Sequence, residues 1–192
     1  MGRLTASSLL GIGVLGGAMT WSVDASHAWA AGAHARTTHS MKMEPNAQSW
    51  NTSLLRIINR DRLRYGRPRL HLTSAQSLGN ASCVGSYGHA EAMARSGAIW
   101  HVSARFRRAS FPNSICVHFL HAGENVGESS DGNPMLDLRT LDTLMMAEPH
   151  GTTVCAATVN HACNLLNPKF RQVGIGVYSS NGTTWLTEDF TD

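Results

Sequence analysis

The chain has 192 residues, of which 15% are charged, with a formal net charge of +3 and ten histidines. That length accommodates a targeting segment and one domain with a reasonable core, and so mild a charge gives no basis for a nucleic-acid partner. Arg56, Arg60, Arg62, Arg64, Arg67 and Arg69 are spread around a helical wheel, which reads as a solvated face and not as a polyanion patch.

Arg3 opens a stretch that carries no charge from residue 4 to residue 20 and is rich in Leu, Ala, Gly, Ile and Val. Ala28-Trp29-Ala30 and Ala33-His34-Ala35 are small-x-small cleavage candidates. We read residues 1–30 as a signal peptide, and the protein as secreted to an extracellular location. The run from Leu4 to Val23 is long enough to span a bilayer, but its Gly, Ser and Thr residues make a poor permanent anchor. No later stretch is long and apolar enough, so no stable membrane anchor is expected. Residues 31–49, rich in Ala, His, Ser and Thr without apolar period, read as a disordered linker. The domain is expected over residues 50–192.

Ser53 or Thr52 is expected to cap a helix carrying Leu54, Leu55, Ile58 and Tyr65, which Gly66 and Pro68 stop. A second helix is expected from the capping-box spacing of Thr73 and Gln76 to a C-terminal stop at Gly97. Its small residues imply close packing against a neighbour, and His89 on it reads as a packing or surface residue. Residues 98–133 look irregular, with Ile115, Val117 and Phe119 alternating as in a short strand. A third helix is expected over Pro134–Glu148, with Leu138, Leu141, Leu144 and Met145 as its inner stripe. Residues 150–169 read as a loop with a turn of helix. Val173, Ile175 and Val177 then alternate into Asn181-Gly182, a strong hairpin signal, and Trp185–Phe190 returns. Helices before and between a few antiparallel strands give an α+β, layered sandwich.

Cys83, Cys116, Cys155 and Cys163 follow the signal. In an oxidising compartment an even count reads as disulfides. Three pairings are possible. We expect Cys83–Cys116, tying a helix to a later segment, and Cys155–Cys163, closing a short loop, each contributing about 3 kcal/mol. No C-x-x-C spacing supports a zinc site built from them, and no Gly-x-Ser-x-Gly elbow supports a serine nucleophile.

Glu148 falls on the apolar stripe of the third helix, where a carboxylate needs a partner, a cavity or water. His161 is held beside Cys163. His101 follows the second helix closely, and Glu124 lies between Gly123 and Asn125-Val126-Gly127. His118 and His121 make a poor chelate. Taken singly, each of these residues has an ordinary explanation as a core histidine or a turn carboxylate.

Together the motifs form a series: Leu55-x-x-x-Asn59-x-x-Arg62, Gly97-x-x-x-His101, Gly123-Glu124-Asn125-Val126, Met145-Met146-Ala147-Glu148, His161-x-x-Asn164-Leu165-Leu166, Val173-Gly174-Ile175-Gly176-Val177 and Trp185-x-Thr-Glu-Asp-Phe. In this order and spacing the chain resembles the CAP superfamily, the SCP-like, cysteine-rich secretory, antigen 5 and pathogenesis-related proteins, and in particular its short bacterial extracellular branch. The resemblance covers residues 50–192. It implies a three-layer α-β-α sandwich with a small antiparallel sheet and a central cleft. The family's cleft holds two histidines and two glutamates, which carry over to His101, Glu124, Glu148 and His161. Asn160 stands where the family's Gly-His-x-Thr-Gln motif has its glycine, and the Thr-Gln is absent, which departs from the eukaryotic groove.

Two neutral imidazoles and a carboxylate are a known zinc ligand set, and a second carboxylate can serve as base or weaker ligand. The resemblance therefore implies Zn2+ as a candidate cofactor held by His101, His161, Glu124 and Glu148; the alternative is a metal-free cluster paired by charge-assisted hydrogen bonds. The expected function is a secreted cleft protein that binds a lipid, glycan, peptide or protein and is not an enzyme. The alternatives are a zinc-dependent hydrolase acting on extracellular peptide or cell-wall material, and a structural module without ligand.

Overall fold

A computed structural model describes residues 46–79, 83–101 and 116–192. The expected signal peptide, most of the expected linker, and Ile115 lie outside the described residues. Helix α1 spans Ala47–Arg64, so the domain begins inside the segment read as linker. Ala47 is fully buried, which explains the earlier start. Asn46 occupies the N-cap position without a side-chain bond. Thr52, expected as a cap, is interior, and its hydroxyl donates back to the Gln48 carbonyl at 2.9 Å.

The expected second helix is two helices, α2 (Ser74–Leu78) and α3 (Gly85–Ser96). Thr73 is the N-cap of α2, yet the capping-box exchange does not form: Thr73 makes no side-chain cap bond, and the Gln76 amide instead donates to the Asp189 carbonyl. Gly97 ends α3 in the left-handed region at φ 64°, as its position suggested. Before α2 lies a short strand, β1 (His71–Leu72). Strand β2 (Ala122–Ser129) falls in the region that looked irregular. Val117 and Phe119 are not in a strand. β2 is hard to see in the sequence because Gly123, Asn125 and Gly127 occupy the positions where a core-facing strand shows apolar residues.

Helix α4 (Pro134–Met146) starts on Asn133, whose side chain accepts from Met135 N and Leu136 N. It stops two residues short of Glu148. Leu144, placed on the inner stripe, is 45% exposed; Leu138, Leu141, Asp142 and Met145 form the buried face. Helices α5 (Thr152–Ala157) and α6 (His161–Leu165) follow, then the hairpin of β3 (Gln172–Ser180) and β4 (Thr183–Thr191). Asn181 and Gly182 both have positive φ at its tip.

The sheet order is β1-β3-β4-β2. β3, β4 and β2 pair antiparallel, but β1 joins β3 in parallel, so the small sheet is mixed and not purely antiparallel. On one face Val173, Ile175, Val177, Leu186 and Phe190 pack with Leu54, Ile58, Leu138, Leu141 and Leu165 of α1, α4 and α6. The other face carries α2 and α3, with Ala90, Met93, Val126 and Trp185 in contact. These layers are the expected α-β-α sandwich. Both disulfides form as expected, Cys83–Cys116 and Cys155–Cys163.

Gly174 and Gly176 decide how closely α3 approaches. A Cβ at Gly176 would overlap the Ser86 backbone, and one at Gly174 would overlap Gln76 and the Ser86 hydroxyl. The small residues of α3 are thus half of a contact whose other half is the bare backbone of β3. Gly176→Ala should cost about 3 kcal/mol or more, because backbone must move to admit the methyl. Gly182→Ala, in open space at the hairpin tip, should cost only about 1 kcal/mol for its positive φ. Urea unfolding of the two variants measures the difference.

Candidate functional site

Adjacent residues of a strand point to opposite faces of a sheet. β2 is one of the two edge strands of the sheet, opposite β1, and it uses this alternation to serve both layers. Glu124 lies on the α3 side and Asn125 on the α4/α6 side.

The Glu124 carboxylate meets two imidazoles. His101 Nδ1 is 2.9 Å from Oε2, and His89 Nδ1 is 3.0 Å from Oε1. The His89 side chain is fully buried, that of Glu124 is 9% exposed, and that of His101 is 53% exposed. Burial works against the Glu124 charge, but the hydrogen bonds and charges of His101 and His89 outweigh it and lower the carboxyl's pKa. An ionised carboxylate only accepts, so the nitrogens facing it carry the protons.

The second half of the site comes from the other layer. Glu148 sits just beyond α4, and both its oxygens bond His161: the backbone N–H at 2.8 Å and ring Nδ1 at 2.6 Å. Glu148 is thus not on the buried stripe of α4, as the sequence suggested, but beyond its end and about one-third exposed, and it still pairs with an imidazole. Asn160, the residue that departs from the family pattern, has a local task. It N-caps α6 by accepting from Cys163 N at 2.8 Å, and it donates to the Pro149 carbonyl at 2.8 Å, next to Glu148. The Cys155–Cys163 disulfide ties α5 to the same short helix. The His101 and His161 rings come within 6.4 Å of each other, centroid to centroid. The structure therefore brings together all four residues singled out in the sequence, as two carboxylate–imidazole pairs, one from each layer.

Three further residues join these pairs. Asn164 donates to the Glu124 carbonyl at 3.1 Å and to Asn125 Oδ1 at 3.0 Å. Asn125 in turn donates to the His161 carbonyl at 3.3 Å and to Glu188 Oε2 at 3.0 Å. Both asparagines stood in the motif series without an assigned role. Glu188 was legible by alternation: it lies between Leu186 and Phe190 on the core-facing side of β4. His89 left a weaker signal, a histidine among the small residues of a helix that packs closely. By contrast, His121 pairs with Asp192 at 2.9 Å, away from these residues in the hydrogen-bond network.

Among the described residues, no group of three or more His, Cys, Asp or Glu side chains is arranged to hold a metal ion. Both carboxylates are committed to Nδ1 atoms, so the ring nitrogen left to each of His101 and His161 for another partner is Nε2. An open groove along α1, lined by Gln48, Ser49, Thr52, Ser53 and Arg56, shares no residue with the site.

The three-layer α-β-α arrangement is shared with a solved SCP-domain structure. The chain has the SCP (CAP) domain fold. An extracellular protein containing an SCP domain from Bacillus anthracis str. Ames superposes with a TM-score of 0.53 at 20% identity, over 78% of this chain and 44% of that one. A cysteine-rich secretory protein from Staphylococcus aureus subsp. aureus Mu50 gives 0.40 at 15% identity, over 78% and 41%. NaASP2 with Zn2+ gives 0.49 at 10% identity, over 77% and 80%. This chain thus spans less than half the length of the two bacterial proteins. No protein-family model and no curated protein matches it in sequence. No described helix is long and apolar enough to cross a membrane.

The network ends in a buried acid cluster. Burial, then the charge of Asp142, pushes the Glu188 carboxyl up to about 8; burial, then the charge of Asp61, pushes Asp142 up to about 7. An unfolded chain releases these protons near pH ~4. The folded chain holds them across the window between, so the unfolded state binds fewer protons there and stability falls as pH rises from about 4 to about 8. Glu188→Gln should remove much of this dependence and raise the melting temperature at about pH 8 by a few degrees. Calorimetric melting from about pH 5 to about pH 8 checks it, with equal slopes in both proteins as the contrary result.

Proposed function

We propose that this chain is a secreted domain that binds a ligand at the His101–His161 pair and is not an enzyme. The observation that carries this reading is that the two rings lie 6.4 Å apart, centroid to centroid, each held at Nδ1 by its own glutamate. Each imidazole gives Nδ1 to a carboxylate, which leaves its Nε2 lone pair to accept from, or coordinate, something brought to the cleft. The N-terminal export pattern supports secretion, and both disulfides suit an oxidising compartment. The described cysteines are all bonded, so none is a nucleophile.

Zn2+ fits this donor set in part. Carboxylate–histidine pairs are how proteins orient metal-ligating imidazoles, and His101 and His161 would hold the ion through Nε2, with Glu124 and Glu148 behind them. Two protein donors are fewer than the three of an ordinary catalytic zinc centre, so the pair suits a weakly held ion that shares its coordination with the ligand. A bound zinc supplies Lewis acidity toward an oxygen of that ligand. With no third donor and no base left uncommitted among the described residues, the geometry gives the hydrolase reading no specific support.

Calorimetric titration of the purified protein with zinc should show one ion per chain. A large excess over the dissociation constant should raise the melting temperature by about 5–10 °C. Replacing both His101 and His161 by Ala should abolish both effects. Equal zinc responses in the wild type and the double variant would move the binding site elsewhere.

A further inference from the structure

His89 is the one imidazole of the cluster that no ligand can reach. Its side chain is fully buried, Nδ1 lies 3.0 Å from Glu124 Oε1 in an ion-pair contact, and neither ring nitrogen has a well-aligned hydrogen bond among the described residues. Leaving a ring nitrogen dry is costly unless the other nitrogen gains by it. The ring also packs on Trp100, centroid to centroid 4.3 Å and tilted by 49°. Trp100 is the residue immediately before His101.

We propose that His89 is a positioning residue for the cleft, which through the Glu124 carboxylate and the Trp100 ring holds His101 as the Nδ1–H tautomer with Nε2 free to accept. Glu124 offers one oxygen to each imidazole. A lone pair on His89 Nδ1 facing that oxygen at 3.0 Å would repel it, so Nδ1 carries the proton. Nε2 is then an unpaired acceptor, which costs less than an unpaired buried N–H. With Oε1 occupied by His89, the carboxylate cannot swing, and Oε2 stays on His101. His101 lies beyond the end of α3 and is half exposed, and its backbone is steadied at Trp100 by the same buried ring. One side chain thus fixes both ends of the His101 geometry. His161 has no such support and needs less: its carboxylate takes both its Nδ1 and its backbone N–H.

The test compares His89→Leu, which keeps apolar packing against Trp100 but has no donor, with His89→Asn, whose amide can donate near the place of Nδ1. Long-range 1H–15N spectra at one fixed pH, about 8, report the tautomer of each histidine ring. We expect wild-type His101 and His89 both as Nδ1–H. In His89→Leu the His101 signals should shift toward the Nε2–H form, and in His89→Asn they should return to the wild-type pattern. Zinc affinity should follow, falling roughly tenfold or more in His89→Leu and recovering in His89→Asn. A folded His89→Leu with wild-type His101 signals overturns the proposal, as does wild-type His89 found as the Nε2–H tautomer, which needs no variant to observe. Only the zinc arm rests on the binding reading given above. If the wild type binds no zinc, the metal reading fails while the tautomer spectra still decide the role of His89.

Discussion

The fold closes around one buried cation. Arg62, on the last turn of α1, is fully buried and donates to four backbone carbonyls: Pro68, Leu165, Asn167 and Phe170. Leu165 ends α6, so the guanidinium satisfies a helix C-terminus that has no internal partners and whose dipole favours a positive charge. Burial, with the nearby charges of Arg171 and Arg67, lowers its pKa to about 10, so it remains charged at neutral pH. Asn59, one turn earlier, clamps Leu70 from both sides, accepting from its N–H at 2.7 Å and donating to its carbonyl at 3.0 Å. Between them, these two residues fix the entry to β1 and the short helix that carries His161 and Asn164.

The site depends on that anchoring because it is assembled from both sides of the sheet. Glu124 and Asn125 are neighbours in sequence that point into different layers, and each organises the histidine on its own side. Asn164 crosses back to the Glu124 carbonyl and locks α6 to the β2 backbone. Gly123 makes room for this: a Cβ there would press on the Asn164 side chain and Phe170. The sheet edge, the bare glycine and the two asparagines are therefore one device. It brings two imidazoles from distant segments close to each other with their Nδ1 atoms already occupied.

The same region holds carboxyls that a purely structural core would avoid. Among the described residues, Glu188 and Asp142 each keep a buried oxygen without a hydrogen-bond partner, and Asp61 adds a third acid shared with Arg60 and Arg64 at 3.3 Å. Replacing such groups by apolar ones of like volume often stabilises a protein. Their cost is lowered here because burial raises both pKa values, so that near neutral pH Glu188 keeps its proton and Asp142 is charged only part of the time. Asn125 links Glu188 to His161, so polar groups of the core and of the cleft belong to one hydrogen-bonded network.

The sequence by itself determined the α+β layering and the α1, α4 and β3–β4 elements; it favoured one of three possible disulfide pairings, which the structure selects, and it offered the four cleft residues through ordered motifs that resemble a family. Those features rest on local signals: apolar period, turn chemistry, loop closure and ordered motifs. It missed β2, whose inward positions are Gly and Asn, and the break between α2 and α3, where helical spacing continued across a turn. It read Arg62 as solvated and Leu144 as buried, because a helical wheel shows which residues share a face but not which neighbour covers it. Tertiary structure alone decided that the glutamates serve the imidazoles and that His89 stands behind Glu124. Those facts depend on which atoms meet across 13 to 35 residues of chain, and no local pattern encodes that meeting.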